Sequence, residues 1–172
     1  MTALFETARL LLREPVPSDA AAYFDIFGDA QANAGNLRGY CRDVGAAQAA
    51  VATYVANWEG HGFDIWAVCL KGAPARVVGF GGVGLRAFGD EQRLNLGYGL
   101  HRSLWGQGLA KELAAAGIRF ACDTLPMPML WARVQSGNAA SRRILEGAGM
   151  VVVEGESTAE ERVYSLRLRQ HP

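Results

Sequence analysis

The sequence predicts a mixed α/β (α+β) fold in a single domain spanning residues 1–172, with one mostly antiparallel central sheet flanked by about four helices. Three observations support this prediction. The chain is 50% hydrophobic and 20% charged, as expected for a globular domain with a sizeable core. Three strand-like runs joined by short polar turns lie between residues 63 and 100, which is typical of an antiparallel meander. Helical and strand-like segments then alternate to the C-terminus.

The N-terminal third combines a strand with two helices. Residues 9–13 are predicted to form the strand, and Ser18 is the expected N-cap of a helix that continues to Phe27. A polar, glycine-containing loop over residues 30–45 is long enough to be functional. The second helix is predicted over residues 46–59, with its apolar side chains on one face.

The remaining elements follow from changes in hydrophobic period and from turn residues. They are strands over 63–70, 76–88, 93–100, 130–134, 150–156 and 162–169, and helices over 108–123 and 138–146. Gly97 and Gly99 lie inside the fourth strand, where glycine often marks a bulge or the close approach of a ligand. We therefore expect the sheet to splay between the fourth and fifth strands.

Charge and cysteine content narrow the classes of function. Lys and Arg together number 17, as do Asp and Glu, so the totals indicate no strongly basic face for nucleic acid. Cys41, Cys69 and Cys122 are far apart and form no C-x-x-C, which favours buried thiols in a reducing compartment. No signal peptide or membrane-spanning run is evident. We expect a cytoplasmic protein with no metal, nucleic-acid partner or membrane association.

Two glycine-rich stretches compete for the role of phosphate site. The first, "GFGGVG" at residues 79–84, spells the dinucleotide-binding turn of nucleotide-binding oxidoreductases. That turn must open a helix and be followed by an acidic residue about twenty positions later. Here a hairpin follows, and residues 92–111 contain no Asp or Glu. We interpret this stretch as a strand against which a neighbouring element packs closely.

The second stretch, "LWGQGLAKEL" at residues 104–113, follows a strand and opens a helix. Gly106 and Gly108 allow successive backbone N–H groups to face one concavity, and the helix N-terminus adds unsatisfied donors. Such a cradle suits a phosphate or pyrophosphate. An ordinary strand-to-helix loop could have the same sequence pattern. Beside it, a splayed strand would offer backbone groups to an extended, amide-bearing ligand. Together these features fit coenzyme A, which joins a pyrophosphate to pantetheine.

Three stretches resemble the GNAT superfamily of N-acetyltransferases, and specifically its Rim-type branch, named for ribosomal-protein N-terminal acetyltransferases. They are "FETARLLLREPVPSD", "NLGYGLHRSLWGQGLAKEL" and "SGNAASRRILEGAGM", and the resemblance covers nearly the whole chain. It implies a GNAT-like fold and acetyl-CoA as the acyl-donor cosubstrate. It also implies direct attack of a primary amine, on a protein N-terminus or a small molecule, within a ternary complex. The oligomeric state stays open, a homodimer included.

The resemblance assigns roles to individual residues. It implies acetyl-CoA contacts from Leu100, Trp105, Gly106, Gln107, Gly108, Leu109, Ala110 and Asn138. Ser141 is the candidate that protonates the leaving thiolate, because Leu145 stands where many members have a tyrosine. Ser141 could also be a plain helix-surface hydroxyl, and Asn138 also suits the N-cap of its helix.

The general base is the unresolved part of this assignment. Asn95 occupies the position where members often carry a glutamate, and an asparagine can position a water but cannot take a proton. Glu91, on the same strand face, and His101, at the strand end, are alternatives. The missing glutamate also leaves open a non-catalytic acyl-CoA-binding sensor or regulatory module. Acceptor contacts are expected from Arg38 and Tyr40 in the long loop, unless these are merely solvated.

Overall fold

The computed structural model describes residues 5–37 and 39–169, in which eight strands form one sheet of order β1-β2-β3-β4-β5-β6-β8-β7. The strands are β1 (Phe5–Glu6), β2 (Leu10–Arg13), β3 (Ile65–Leu70), β4 (Ala73–Phe88), β5 (Glu91–Leu100), β6 (Met129–Gln135), β7 (Val151–Val152) and β8 (Glu161–Arg167). The β5–β6 pair is parallel and the other neighbouring pairs are antiparallel. The predicted fold class is therefore confirmed.

Four α-helices cover the two faces of this sheet within the described residues. They are α1 (Ala20–Phe27), α2 (Val44–His61), α3 (Leu109–Thr124) and α4 (Ala139–Gly147). Buried side chains of α1 and α2 cluster with Phe80 of β4 on one face. Buried side chains of α3 and α4 cluster with Leu94 of β5 and Leu130 of β6 on the other. A ligand between β5 and β6 would consequently lie between two helical layers.

A buried ion pair, rather than a serine cap, organises the chain before α1. Both Asp19 carboxylate oxygens accept hydrogen bonds from Arg13 at 2.7 Å, and one of them also accepts from the Val16 N–H at 2.8 Å. Ser18 makes no capping hydrogen bond, so the predicted Ser18 N-cap is wrong. Asp19 takes this place because the Arg13 side chain is buried and requires a charged partner.

The first strand of the last predicted pair is shorter in the structure than the sequence indicated. Instead of covering residues 150–156, β7 ends at Val152, and a 3₁₀ turn follows at Glu154–Glu156. The Ser157 hydroxyl donates to the Val153 carbonyl at 2.9 Å and stabilises this turn. A local side-chain hydrogen bond of this kind competes with the strand ladder.

The first glycine-rich stretch is a tightly packed part of β4. A Cβ at Gly81 would lie 2.6 Å from Cδ2 of Leu113 on α3, and a Cβ at Gly82 would lie 2.9 Å from the Trp66 ring. No helix follows, because β4 runs on to Phe88 and the chain returns as β5. The interpretation of "GFGGVG" as a close-packing strand is confirmed.

Strands β5 and β6 separate toward their C-terminal ends, which confirms the predicted splay. Their ladder contains one residue pair, Asn95 with Trp131. The β4–β5 ladder is unbroken along the whole of β5, so the bulge expected at Gly97 and Gly99 is absent against β4. These glycines instead provide space: a Cβ at Gly99 would overlap the Phe27 ring, whereas one at Gly97 would meet only the Asn95 amide, at 3.7 Å.

Candidate active site

The separation of β5 from β6 opens a cleft of about 830 Å³. Its walls are the second half of β5, the turn into α3, the start of α4 and the loop after α1. Seven of the residues given a catalytic or cofactor-binding role from the sequence line it: Asn95, Leu100, Trp105, Gly106, Ala110, Asn138 and Ser141. The fold thus brings together side chains from three separate segments of the chain.

Backbone groups on one edge of β5 face this cleft. The His101 N–H donates to the Val78 carbonyl at 2.9 Å, which shows which residues of β5 direct their backbone groups toward β4. Because hydrogen-bonding direction alternates along an antiparallel strand, residues 97 and 99 direct their N–H and C=O groups toward β4. Residues 96, 98 and 100 direct theirs toward β6, and beyond the pair of Asn95 with Trp131 the strands have parted.

Two carbonyls on this edge are already bound. Trp105 Nε1 donates to the Leu100 carbonyl at 2.9 Å, and Asn95 Nδ2 donates to the Leu96 carbonyl at 3.0 Å. The backbone N–H and C=O of Tyr98 lie beyond the single β5–β6 pair and have no strand partner within the described residues. They are therefore the part of the edge that an extended ligand can pair with.

Asn95 carries a buried polar atom without a partner. Its Nδ2 group donates to the Leu96 carbonyl, which fixes the orientation of the amide. Its Oδ1 is buried and accepts no hydrogen bond from any described residue. Since leaving a buried acceptor unpaired costs free energy, Oδ1 is suited to accept an N–H or a water from a ligand in the cleft.

The turn between β5 and α3 has the geometry of an anion cradle. Gly106 and Gly108 have φ angles of +74° and +75°, in the left-handed region that favours glycine. The backbone N–H groups of residues 108–111 donate to no acceptor in the described parts of the chain. These free donors, with the partial positive charge of the α3 N-terminus, can bind phosphate oxygens.

The connection between β1 and β2 holds this turn in place. Arg9 donates from Nη1 to the Gln107 carbonyl at 2.8 Å and from Nε to Glu112 Oε2 at 2.7 Å. The Thr7 hydroxyl and the Arg9 N–H donate to Oε1 at 2.5 and 2.8 Å. Burial alone would raise the pKa of Glu112, but these hydrogen bonds outweigh it and lower the pKa. Because C=O and N–H point oppositely across a peptide, the contact with Gln107 turns the Gly108 N–H away from Arg9.

The N-terminus of α4 contributes Asn138 and Ser141. Asn138 Oδ1 accepts from the Ser141 N–H at 3.1 Å, which confirms the N-cap, and Nδ2 donates to the Gly35 carbonyl at 3.2 Å. Asn138 therefore also ties the loop after α1 to α4. The Ser141 hydroxyl makes no hydrogen bond with the described residues, which leaves it available to a ligand.

Tyr98 closes the bottom of the cleft on the α3–α4 side. Its ring packs against both core clusters on that face, and its hydroxyl donates to the Ser141 carbonyl at 3.4 Å. Burial raises the pKa of Tyr98 to about 12. The side chain is accordingly neutral at physiological pH and bridges β5 to α4.

Three residues predicted to bind the cofactor lie around the turn without lining the cleft with their side chains. Leu109 is buried in the core, so its backbone N–H is the group it can offer. Gln107 directs its side chain back to the Ser103 carbonyl at 3.2 Å. Gly108 offers backbone alone. These three residues can therefore contact acetyl-CoA through their backbone groups and not through their side chains.

The predicted acceptor and base residues are more dispersed. Tyr40 is exposed and outside the cleft lining, and Arg38 lies outside the described residues. Glu91 forms an ion pair with Arg93 at 2.9 Å, and His101 Nδ1 hydrogen-bonds with Ser103 Oγ at 2.8 Å. Neither Glu91 nor His101 lines the cleft, whereas Asn95 does.

Sequence reasoning missed the wall of the cleft opposite the turn. This wall includes Tyr23 of α1, Tyr54 of α2, Arg86 of β4, Arg133 of β6 and Glu161 of β8. The available signal was a charged residue within an otherwise apolar strand, such as the arginine in "GLRAF". Its partners come from other elements, and no local pattern reveals them.

Residues 9–151 match the family model described as Acetyltransferase (GNAT) domain. The chain belongs to the GNAT acetyltransferase family. Its structure is similar to that of an acetyltransferase from Agrobacterium tumefaciens strain C58, at 25% identity and a TM-score of 0.81, covering 97% of this chain and 95% of that one. Membership agrees with a parted β5–β6 pair that leads into a glycine turn and a helix N-terminus.

More distant structures share the fold. YncA from Salmonella typhimurium, a putative acetyltransferase solved with acetyl-CoA, is 21% identical with a TM-score of 0.72, covering 95% of this chain and 96% of that one. RimL, a ribosomal L7/L12 α-N-protein acetyltransferase solved with coenzyme A, is 13% identical with a TM-score of 0.75, covering 99% of this chain and all (100%) of that one.

Among curated proteins, the chain is similar to the uncharacterised protein YkkB of Bacillus subtilis, at 27% identity over 94 residues. The match covers 55% of this chain, which spans about half (54%) of that relative's length. Separately, the described residues include no helix that is both long and apolar enough to span a membrane.

Proposed function

We propose that this protein is an acetyl-CoA-dependent N-acetyltransferase that acts on a primary amine. One observation carries the proposal: the unpaired backbone edge of β5 leads through a glycine turn directly into a helix N-terminus whose N–H groups are free. Such an edge pairs with the amides of pantetheine, and such a turn binds a pyrophosphate. Membership of the GNAT family and the acetyl-CoA complex of a structural neighbour support the same cosubstrate.

The order of groups along β5 suggests how acetyl-CoA lies in the cleft. The Leu100 N–H and the Tyr98 C=O are nearest the turn and are assigned to pantetheine. The Tyr98 N–H lies one step further from the phosphate site and is assigned to the thioester carbonyl. A fixed backbone donor at this point stabilises the oxyanion that forms when the amine attacks. Holding both reactants in one cleft supplies the proximity that direct transfer needs.

Ser141 and Asn95 are the side chains assigned to proton movement. The Ser141 hydroxyl lines the cleft and is free to protonate the departing thiolate. Asn95 Oδ1 accepts an N–H of the amine or holds a water that takes up its proton, because an amide has no basic site of its own. Glu161, the carboxylate that lines the cleft within the described residues, is bound by Arg133 and is not assigned as the base.

The Rim-type branch is part of the proposal, with a protein N-terminus or a small-molecule amine as acceptor. Support comes from the shared fold of RimL, described as an α-N-protein acetyltransferase. Trp105, which the resemblance implies as an acetyl-CoA contact, stands in the turn. It is 56% exposed at the mouth of the cleft, with its Nε1 fixed to the Leu100 carbonyl.

The test is release of free coenzyme A thiol when the protein is mixed with acetyl-CoA and a panel of primary amines. The proposal predicts thiol release that depends on an amine. Saturable acetyl-CoA binding without thiol release across the panel would instead support a non-catalytic sensor module. That alternative arises because Asn95 stands where members of the family often carry a glutamate. If acetyl-CoA does not bind at all, both readings are wrong.

A further inference from the structure

We call the wall opposite the turn the acceptor side of the cleft. Among the described residues it presents hydrogen-bond donors and no free carboxylate. Its charged lining residues in the described chain are Arg86, Arg133 and Glu161. Glu161 accepts from Nε and Nη2 of Arg133 at 2.5 and 2.9 Å, so both of its oxygens are engaged. An acceptor with a second ammonium group would find no unpaired carboxylate on these described walls.

Arg86 is held rigidly at this wall. Its Nη2 and Nη1 donate to the two oxygens of Asp64 at 2.5 and 3.2 Å, and Nη1 also donates to the Leu85 carbonyl at 2.6 Å. Asp64 is 2% exposed and also accepts from Asn57 and from the Ile65 N–H. These contacts fix the guanidinium and leave its Nε–H without a hydrogen bond to the described residues.

Gly84 places this guanidinium beside Asn95. A Cβ at Gly84 would lie 2.7 Å from Nη1 of Arg86 and closer still to Asp64 Oδ1, so the ion pair occupies the side-chain space of Gly84. Gly84 is directly opposite Asn95 in the β4–β5 ladder. Directly opposed residues have Cβ atoms about 5 Å apart on the same face of the sheet, so the Arg86 guanidinium lies beside Asn95 on that face.

We infer that Arg86 selects acceptors in which the carbon next to the amine carries a carbonyl or a carboxylate, as in an amino acid or a peptide N-terminus. The inference rests on the proposed function. Asn95 binds the amine, and the free edge of the Arg86 guanidinium binds the neighbouring oxygen. Polyamines are poor acceptors because their remote ammonium groups face Arg86 and Arg133 without a free carboxylate to pair with.

Four small acceptors test this inference on the wild-type protein: alanine, alaninamide, ethylamine and spermidine. The first three share a methyl group on the carbon that bears the amine, and that carbon also carries a carboxylate, a carboxamide or only hydrogen, respectively. With rates expressed per neutral amine, alanine or alaninamide should exceed ethylamine in kcat/KM by about tenfold or more, since a hydrogen bond to a charged group contributes about 1.5 kcal/mol or more. The order of alanine and alaninamide distinguishes a carboxylate from a peptide carbonyl as the recognised group.

Arg86→Lys is the matching variant, because it keeps a positive charge for Asp64 but loses the planar fork. It should raise KM for the better of alanine and alaninamide about tenfold, with KM for acetyl-CoA and for ethylamine unchanged. Arg93→Lys is the control, since Arg93 lies directly opposite Arg86 in the ladder but pairs with Glu91 and Glu156 outside the cleft. The double variant Asp64→Asn/Arg86→Gln removes both buried charges if the single variant folds poorly.

Equal use of alaninamide and ethylamine, or a preference for spermidine, would overturn the inference while leaving the acetyltransferase assignment intact. So would a folded Arg86→Lys variant that loses activity toward all acceptors equally. If no amine releases thiol from acetyl-CoA, the proposed function itself fails, and that result is distinct from a failure of selectivity.

Discussion

Replacing Gly108 perturbs the phosphate turn through its backbone. Gly108 has a φ of +75°, and the nearest atom to an added Cβ is Nη2 of Arg9 at 3.6 Å, an ordinary contact. The cost of a side chain is therefore conformational rather than steric. For an L-residue other than glycine the left-handed conformation costs about 1–2 kcal/mol, and a β-branched residue tolerates it worst.

If the turn relaxes to relieve this strain, the N–H groups at the start of α3 reorient and the affinity for acetyl-CoA falls by about 5- to 30-fold. Titration calorimetry with acetyl-CoA should rank the proteins as wild type and Gly108→Asn above Gly108→Ala, with Gly108→Val weakest, because asparagine tolerates the left-handed region. The free energy of unfolding of the same variants shows how much strain the folded state retains, because retained strain lowers it.

Gly62→Val is the matched control for this series. Gly62 ends α2 with the same φ of +75° and has no atom within 4 Å of an added Cβ, but it is not part of the cleft lining. It should lose stability and keep its acetyl-CoA affinity. A Gly108→Val protein that binds acetyl-CoA like the wild type would show that the phosphates do not bind at this turn.

The other predictions concern catalysis, buried charge and pH. Ser141→Ala should lower kcat while the dissociation constant for acetyl-CoA stays within about twofold; an equal loss in both would make Ser141 a binding residue. Asp64→Ala should destabilise the fold by about 3–5 kcal/mol in urea unfolding, because the Arg86 charge then lacks its partner, and an unchanged midpoint would contradict the role of the pair. The lowered pKa of Glu112 gives stability that is present above its unfolded pKa of about 4.3 and is lost as pH falls through the folded value. The difference in melting temperature between wild type and Glu112→Gln should therefore be constant near neutral pH and shrink below about pH 4; a difference that grows in acid would contradict this.

Local patterns predicted much of the fold and part of the site. The two glycine stretches could be separated because one lacks a following helix and the other has one, and the positive φ angles of Gly106 and Gly108 agree with the predicted turn. The Asn138 cap likewise depends on residues within one helical turn. Such features are encoded by neighbours in sequence, so the sequence alone can indicate them.

Long-range contacts account for what the sequence did not show. Arg9 and Glu112 are 103 residues apart, and Asp64 and Arg86 are 22 apart, so no local period links either pair. The separation of β5 from β6 was predicted through a bulge, but the β4–β5 ladder is regular. The glycines that suggested the bulge instead make room for the Phe27 ring and for the cleft, and this requires knowing where α1 packs.

Titration of the purified wild-type protein with acetyl-CoA, with NAD as the control ligand, decides whether the turn before α3 is a phosphate site for coenzyme A. We expect saturable binding of acetyl-CoA, weakened by Gly108→Val, and no binding of NAD. Absence of acetyl-CoA binding, or binding of NAD in its place, would show that the turn at residues 106–110 is not the phosphate site and would contradict the proposed function.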